Sequence, residues 1–431
     1  MPKLTIKKIT ENRFFSSFIV LCSGSIWAQA IAFLCSLLLT RIYLPYDLGI
    51  LTYVLSLSTM FTSVICGRYD VRIVDAPKEE VAALVRLSFL ITCAASIVIT
   101  AGIYLYLLVF GERPEILRYA WYCFFVLFLY GIMNTLNAYN NRMEEYKIMS
   151  GVYVLRAIFQ NIFMLLLGVL HCGAFGLLTG QVAGYLAGMR LQSKSLRREN
   201  ILRERTTWSD LARVGRKNIH MFTYSVPSTF VNALSYSVLS VGIGQLFGMI
   251  ELGYYCISVR VLGLPLTVFS SNISRLHYRN SIRDIETRGN YFRCTVRTLF
   301  FALLIILPIM GFLILSAPFL FSLLFGEQWE RSGRLVQILA LMFTVRFLMG
   351  SIGFSFIIAE KQSLEFLFQL MLFAGFLISF ILTKIHSLSI ESFLLLIMAL
   401  YSFVYLCEIT TSIVLSKKGK KTSENCASHP A

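Results

Sequence analysis

Apolar stretches of about 20 residues recur along the whole chain, and that is the length a helix needs to cross the hydrocarbon core of a bilayer. Twelve are read, at about 16–39, 49–67, 86–110, 118–139, 148–170, 172–189, 219–242, 250–273, 298–325, 335–358, 364–383 and 391–415. Composition agrees. Hydrophobic residues make up 57% of the 431 and charged residues 14%, and the mean hydropathy is +0.70. An ordinary soluble domain carries about 25% charged residues, so this chain has too few polar side chains to cover a surface in water. A β-barrel is excluded as well, because its strands would alternate in segments of about 10 residues. The expectation is an all-α polytopic membrane protein of about twelve transmembrane helices.

The net charge is +16, from 39 Lys and Arg against 23 Asp and Glu. These charges sit in the gaps between apolar runs, which argues for topology rather than for nucleic acid as a partner. With the N-terminus inside, 30 of the 39 fall in cytoplasmic segments and 6 in outer loops, the other 3 lying within predicted helices. That bias places both termini in the cytoplasm. The basic start MPKLTIKKITENRFF is expected to lead into an uncleaved first helix rather than to be a signal peptide. Ten Cys are scattered with no CxxC pair, and are read as small buried hydrophobes rather than disulfide or metal partners.

The longest polar interval, RLQSKSLRRENILRERTTWSDLARVGRKN at 190–218, carries 9 Lys or Arg and divides six helices from six. The expected organisation is an N-terminal six-helix lobe at 1–190, a basic cytoplasmic linker at 191–218, a C-terminal six-helix lobe at 219–416 and a basic tail at 417–431. The linker would also touch anionic lipid headgroups. An internal echo supports duplication. Asp47-Leu48-Gly49 and Glu251-Leu252-Gly253 each lead into the second helix of a half, with the acids 204 residues apart. Repeats that begin on the same membrane face are related by an axis along the membrane normal. Each acid also suits a helix N-terminus.

Charges at membrane depth are costly unless they face protein or water. Arg156 in VLRAIFQN, Arg260 in SVRVLGLP and Arg346 in TVRFLMG lie inside predicted helices. Together they imply a cation-lined cavity, with guanidinium groups that match phosphate or carboxylate oxygens. Glu408 in LCEITTS is the clearest intramembrane acid, either a coupling-ion site for H+ or Na+ or a counterion to one of the arginines. Arg68 and Asp70 in GRYD form a second expected pair. Gln29, Asn134, Asn137, Gln160, Asn161, Asn232, Gln245 and Gln369 could line a hydrated path or bond helix to helix. Pro227, Pro265 and Pro308 interrupt i to i−4 bonding and mark bends. Gly176, Gly180, Gly184 and Gly188 make one smooth face for close helix packing.

No phosphate-cradling glycine loop, HExxH or nucleophile elbow occurs. No cofactor is expected, and the chain is read as a secondary transporter rather than an enzyme. Lacking a nucleotide-binding domain, it would be driven by ion coupling, exchange or consumption of product.

The segments GSIWAQAIAFLCSLLLTRIYLPYDLGILTYVLSL (24–57), the Arg-Tyr at 68–69, the stretch 226–280 and LLFGEQWERSGRLVQILA (323–340) together resemble bacterial polysaccharide flippases of the Wzx type. These belong to the multidrug/oligosaccharidyl-lipid/polysaccharide (MOP) exporter superfamily. The resemblance implies a MATE-like fold of two six-helix bundles around a central cavity, in the bacterial inner membrane. It implies an undecaprenyl-diphosphate-linked oligosaccharide as cargo, for O-antigen or a related surface polysaccharide in lipopolysaccharide biosynthesis. Membrane lipids, a polysaccharide polymerase and a chain-length regulator are the implied partners, and Arg156, Arg260 and Arg346 the implied substrate contacts. Ion-coupled export of a small molecule is the alternative, and a non-transporting scaffold in an assembly complex is a third reading.

Overall fold

A computed structural model describes residues 23–110, 114–199, 201 and 206–418. The basic N-terminal segment and most of the basic tail lie outside the described residues. The described chain is helical, and it groups into two compact units, residues 1–253 and 254–431.

The first unit contains α1 (Ser23–Ile42), α2 (Pro45–Thr62), the single turn α3 (Tyr69–Arg72), α4 (Lys78–Phe110) and the short α5 (Pro114–Leu117). It continues with α6 (Tyr122–Arg142), α7 (Tyr146–Val169), α8 (Gly173–Gln192), α9 (Lys194–Arg198), α10 (Trp208–Lys217) and α11 (Val226–Leu246). The helix α12 (Met249–Pro265) begins in it. The second unit adds α13 (Ser271–Arg288), α14 (Phe292–Phe325), α15 (Glu330–Ser351), the short α16 (Ser355–Ile358), α17 (Gln362–His386) and α18 (Ile390–Lys418).

Each of the twelve apolar stretches holds a helix. Eight of the described helical segments are long and apolar enough to cross a membrane. Their exposed faces fit lipid and not water: on α14, Leu315 is 86% and Phe319 70% exposed, and apolar groups in such a stripe are stable only against hydrocarbon. The other four expected spans, α2, α8, α11 and α12, are shorter or less apolar than those eight. In α2 the reason is packing: most of its residues are buried against protein, including Ser56, Ser58 and Thr62. A helix that meets other helices rather than lipid needs less hydrophobicity.

Local chemistry sets the helix ends. Pro45 occupies the first turn of α2, where its missing N–H costs nothing, and Asp47 accepts the Leu44 N–H at 3.2 Å. Gly289, at φ +72°, ends α13 in the left-handed conformation. Pro227 follows a π-helical turn at Met221–Ser225, and Pro265 precedes another at Leu266–Ser270; the wider turns absorb the lost i to i−4 bonds. Pro308 lies inside α14.

The described residues of the 190–218 interval pack onto the first unit. Thr207 and Asp210 cap α10 reciprocally. Leu211 and Val214 are buried in one cluster with Tyr69, Leu84 and Leu136, and Lys217 meets Glu80 at 2.5 Å.

The echoed Leu-Gly pairs meet each other. A Cβ on Gly49 would lie 1.8 Å from the Met249 carbonyl oxygen, and one on Gly253 would lie 1.9 Å from that of Pro45. Thus the first turns of α2 and α12 cross backbone to backbone, each helix contributing its glycine. Farther along, α11 lies on α2, with Phe61 and Phe230 rings 5.2 Å apart and Thr59 within 3.2 Å of Ser237.

Candidate functional site

In the first unit Arg156 stands near the middle of the spanning helix α7. Its guanidinium carbon lies 3.9 Å from the centroid of the Tyr185 ring on α8. Tyr185 is itself held in place: its ring meets that of Tyr130 on α6 edge-on at 6.0 Å, and its hydroxyl accepts from Gln181 Nε2 at 3.2 Å.

The stacking depends on the close approach of α7 and α8. A Cβ on Gly184 would be 2.8 Å from Gln160 Cβ, and one on Gly180 2.5 Å from Met164 Cγ. Gly176 faces the Tyr43 hydroxyl and Leu167 on the same seam, while Gly188 is looser, with Val152 at 3.2 Å. The four glycines therefore face α7, apart from Tyr43 at one end, and seat Tyr185 under the arginine.

Among the described residues no carboxylate lies within 4.0 Å of Arg156. A cation–π contact is worth about 0.5–2 kcal/mol, whereas desolvating a cation costs several kcal/mol. Tyr185 therefore orients the guanidinium without satisfying it, and its donors are left to water or an anion.

In the second unit Arg346 on α15 has its guanidinium carbon 5.6 Å from the centroid of the Phe343 ring. Its charge also reaches Tyr255 on α12, a side chain buried to 6% exposure. Arg260, also on α12, is half-buried and makes no ion pair or hydrogen bond among the described residues. Arg156 belongs to one unit, Arg260 and Arg346 to the other.

Neither of the two acids singled out in the sequence, Glu408 and Asp70, makes a contact ion pair with an arginine among the described residues. Glu408 on α18 is buried, at 4% exposure, but the charge that acts on it is another acid, Glu365 in the first turn of α17. The packing of α17 on α18 brings like charges together, and no arginine pairs with Glu408 among the described residues. Arg68 and Asp70 also form no contact ion pair. Arg68 adopts the left-handed conformation, φ 64°, and its Nε donates to Ser225 Oγ at 3.2 Å. Burial pushes the Asp70 carboxyl up, while the charge of Arg68 and nearby backbone N–H groups pull it down. The contact ion pair at this corner is Arg72–Asp75, at 2.6 Å.

Several polar side chains in apolar helices bond helix to helix or within their own helix. Asn134 donates to the Thr62 carbonyl at 3.1 Å, Gln245 donates to the Tyr106 hydroxyl, and Asn161 turns back to the Ala157 carbonyl at 2.7 Å. Gln29 is exposed, and the Asn232 side chain lies outside what is described. Sequence reasoning missed Tyr185 and Glu365. Tyr185 adjoins the glycine stripe one turn after Gln181, a usable signal; Glu365 passes for an ordinary charge at a helix N-terminus.

The family model described as polysaccharide biosynthesis protein matches residues 38–334. Among solved structures, the lipid II flippase MurJ in an inward closed conformation aligns with a TM-score of 0.63 and 14% identity, over 92% of this chain and 87% of that one. An inward-facing multidrug resistance MATE family transporter of the MOP superfamily aligns at 0.60 and 14%, over 94% and 96%. A MATE transporter of Vibrio cholerae aligns at 0.54 and 14%, over 94% and 96%. At such identity the likeness is one of fold, and these structures are of transporters, not enzymes. No curated protein matches the sequence.

Proposed function

Because the chain belongs to the polysaccharide biosynthesis protein family, a Wzx-like group of the MOP superfamily, we propose that it flips undecaprenyl-diphosphate-linked oligosaccharide repeat units, for O-antigen or a related polysaccharide, from the cytoplasmic to the periplasmic leaflet. In this reading the protein resides in the bacterial inner membrane with both termini cytoplasmic. Twelve helices form two six-helix lobes that open alternately to either side. Polymerase and chain-length regulator are its partners in assembly.

The observation that carries the proposal is Arg156: a guanidinium at membrane depth, stacked on Tyr185 and lacking a carboxylate partner. A diphosphate supplies what it lacks, since planar N–H pairs match phosphate oxygens. Within the second unit, Arg260 and Arg346 are the corresponding anion contacts in this reading. Glu408 and Glu365 are the coupling site, because a buried acid repelled by a second, half-buried acid suits a proton or a Na+ ion.

That acid pair also favours a second reading, ion-coupled export of a small molecule by the same fold. Leaflet-resolved labelling of undecaprenyl-linked glycan separates the two. Deletion should leave glycan on the cytoplasmic face, and the intact gene should restore its transfer. Normal distribution in a deletion strain free of redundant flippases refutes the flippase proposal and favours small-molecule export.

A further inference from the structure

We propose that the α7–α8 pair carries a specific site for a two-chain anionic phospholipid, with its phosphate held by Arg190, Lys194 and Arg197. A groove of about 950 Å³ runs along the pair, walled by Leu155, Phe159 and Phe163 from α7 and by Ala183, Leu186 and Ala187 from α8. Phe159 is 40% and Leu186 48% exposed, on helices read as membrane-spanning, so hydrocarbon is the medium that covers them.

At the C-terminal end of α8 the same stripe turns cationic. Arg190, Lys194 and Arg197 follow at intervals of four and three residues and line the groove with it. All three are exposed. None has a carboxylate within 4.0 Å among the described residues, whereas neighbouring Arg198 meets Glu145 at 3.0 Å and Glu199 at 3.6 Å. Among the described residues these three charges are therefore uncompensated where the hydrophobic stripe ends, the depth at which lipid phosphates lie.

A second hollow, of about 360 Å³, lies on the other side of the same cations. It shares Leu186, Arg190 and Arg197 with the first and is completed by Phe89, Leu136 and Leu196. One anionic head flanked by two apolar hollows is the shape of a diacyl phospholipid. A soluble anion would leave both hollows empty, and a single-chain carrier would fill one.

The test is native mass spectrometry of the delipidated full-length protein with added phosphatidylglycerol, phosphatidylcholine or glycerol 3-phosphate. Phosphatidylglycerol should be retained at least tenfold over phosphatidylcholine, and glycerol 3-phosphate should not displace it. Each charge removed should weaken retention about fivefold, so the combined Arg190→Gln, Lys194→Gln and Arg197→Gln variant should lose about a hundredfold. Ala187→Trp, which fills the groove and spares the cations, should also release the lipid and decides the matter if the triple variant does not fold. Arg331→Gln with Arg334→Gln should have no effect. Equal retention of phosphatidylcholine, unchanged binding by the triple variant and Ala187→Trp, displacement by glycerol 3-phosphate, or a second copy of the chain bound instead of lipid would each overturn the proposal.

Discussion

The crossing of α2 and α12 gives a quantitative prediction. Alanine at position 49 places its Cβ 1.8 Å from the Met249 carbonyl oxygen, and alanine at 253 places its Cβ 1.9 Å from the Pro45 oxygen. Ordinary contact requires about 3.5 Å, so the two backbones must part by about 1.5 Å in either case. The obstructing atoms are backbone, which cannot rotate away as a side chain would, so the upper part of the overpacking range applies, about 3 kcal/mol. Against this, alanine in place of glycine favours a helix by about 1 kcal/mol. Gly49→Ala and Gly253→Ala should each destabilise by about 2 kcal/mol.

The double variant is the sharper test. One separation relieves both clashes, whereas the helix gain counts twice, so its cost should be about 1 kcal/mol rather than the additive 4. Unfolding titrations of the four proteins in mixed micelles measure this cycle. Single variants that are neutral or stabilising would show that the helices do not touch at these glycines. Costs that add within about 0.5 kcal/mol would show that the two contacts are independent, which the reciprocal geometry does not allow.

Three further outcomes are expected. Arg156→Ala, made at wild-type level, should lower glycan flipping in proteoliposomes about tenfold or more, the value of a charged hydrogen-bonded contact; Tyr185→Leu should lower it less, by removing the support and not the donor, and unchanged transport by Arg156→Ala would remove this arginine from the site. His277 is 1% exposed, and burial holds its pKa near 4 rather than 6.5. Its Nε2 faces Thr295 and Ser281 at 3.2 and 3.3 Å, while Nδ1 has no partner among the described residues, so a proton there would be buried without an acceptor from them. Since the unfolded chain takes that proton first, stability should be full above about pH 6.5 and fall by up to about 3 kcal/mol as the pH drops to 4; His277→Gln should flatten that slope, and an unchanged slope would refute the assignment. Finally, Glu408→Gln should abolish the dependence of transport on an imposed proton or Na+ gradient and Glu365→Gln should weaken it, whereas a gradient response retained by both variants would exclude the acid pair as the coupling site.

The membrane class was legible in the sequence because hydrophobicity over about 20 residues is a local property, and each stretch reports its solvent without reference to its neighbours. The prominence of Arg156 followed for the same reason, since a charge in such a stretch is anomalous wherever the helix packs. The glycine stripe from 176 to 188 could be read as a packing face from its spacing alone.

Partners were decided only in three dimensions. The Asp47 and Glu251 echo drew attention to the acids, but the crossing is made by the glycines beside them, and no one-dimensional pattern records which backbone a glycine meets. Arg68 and Asp70 are two residues apart and electrostatically opposite, yet the left-handed turn at Arg68 sends its guanidinium to Ser225. Glu408 was readable as a buried acid, but its neighbour is Glu365, 43 positions earlier, brought close by the packing of α17 on α18. Sequence determines the medium of each helix because transfer free energy accumulates along the chain. Which charges face one another depends on helix rotation and crossing, which are set by packing between segments distant in sequence.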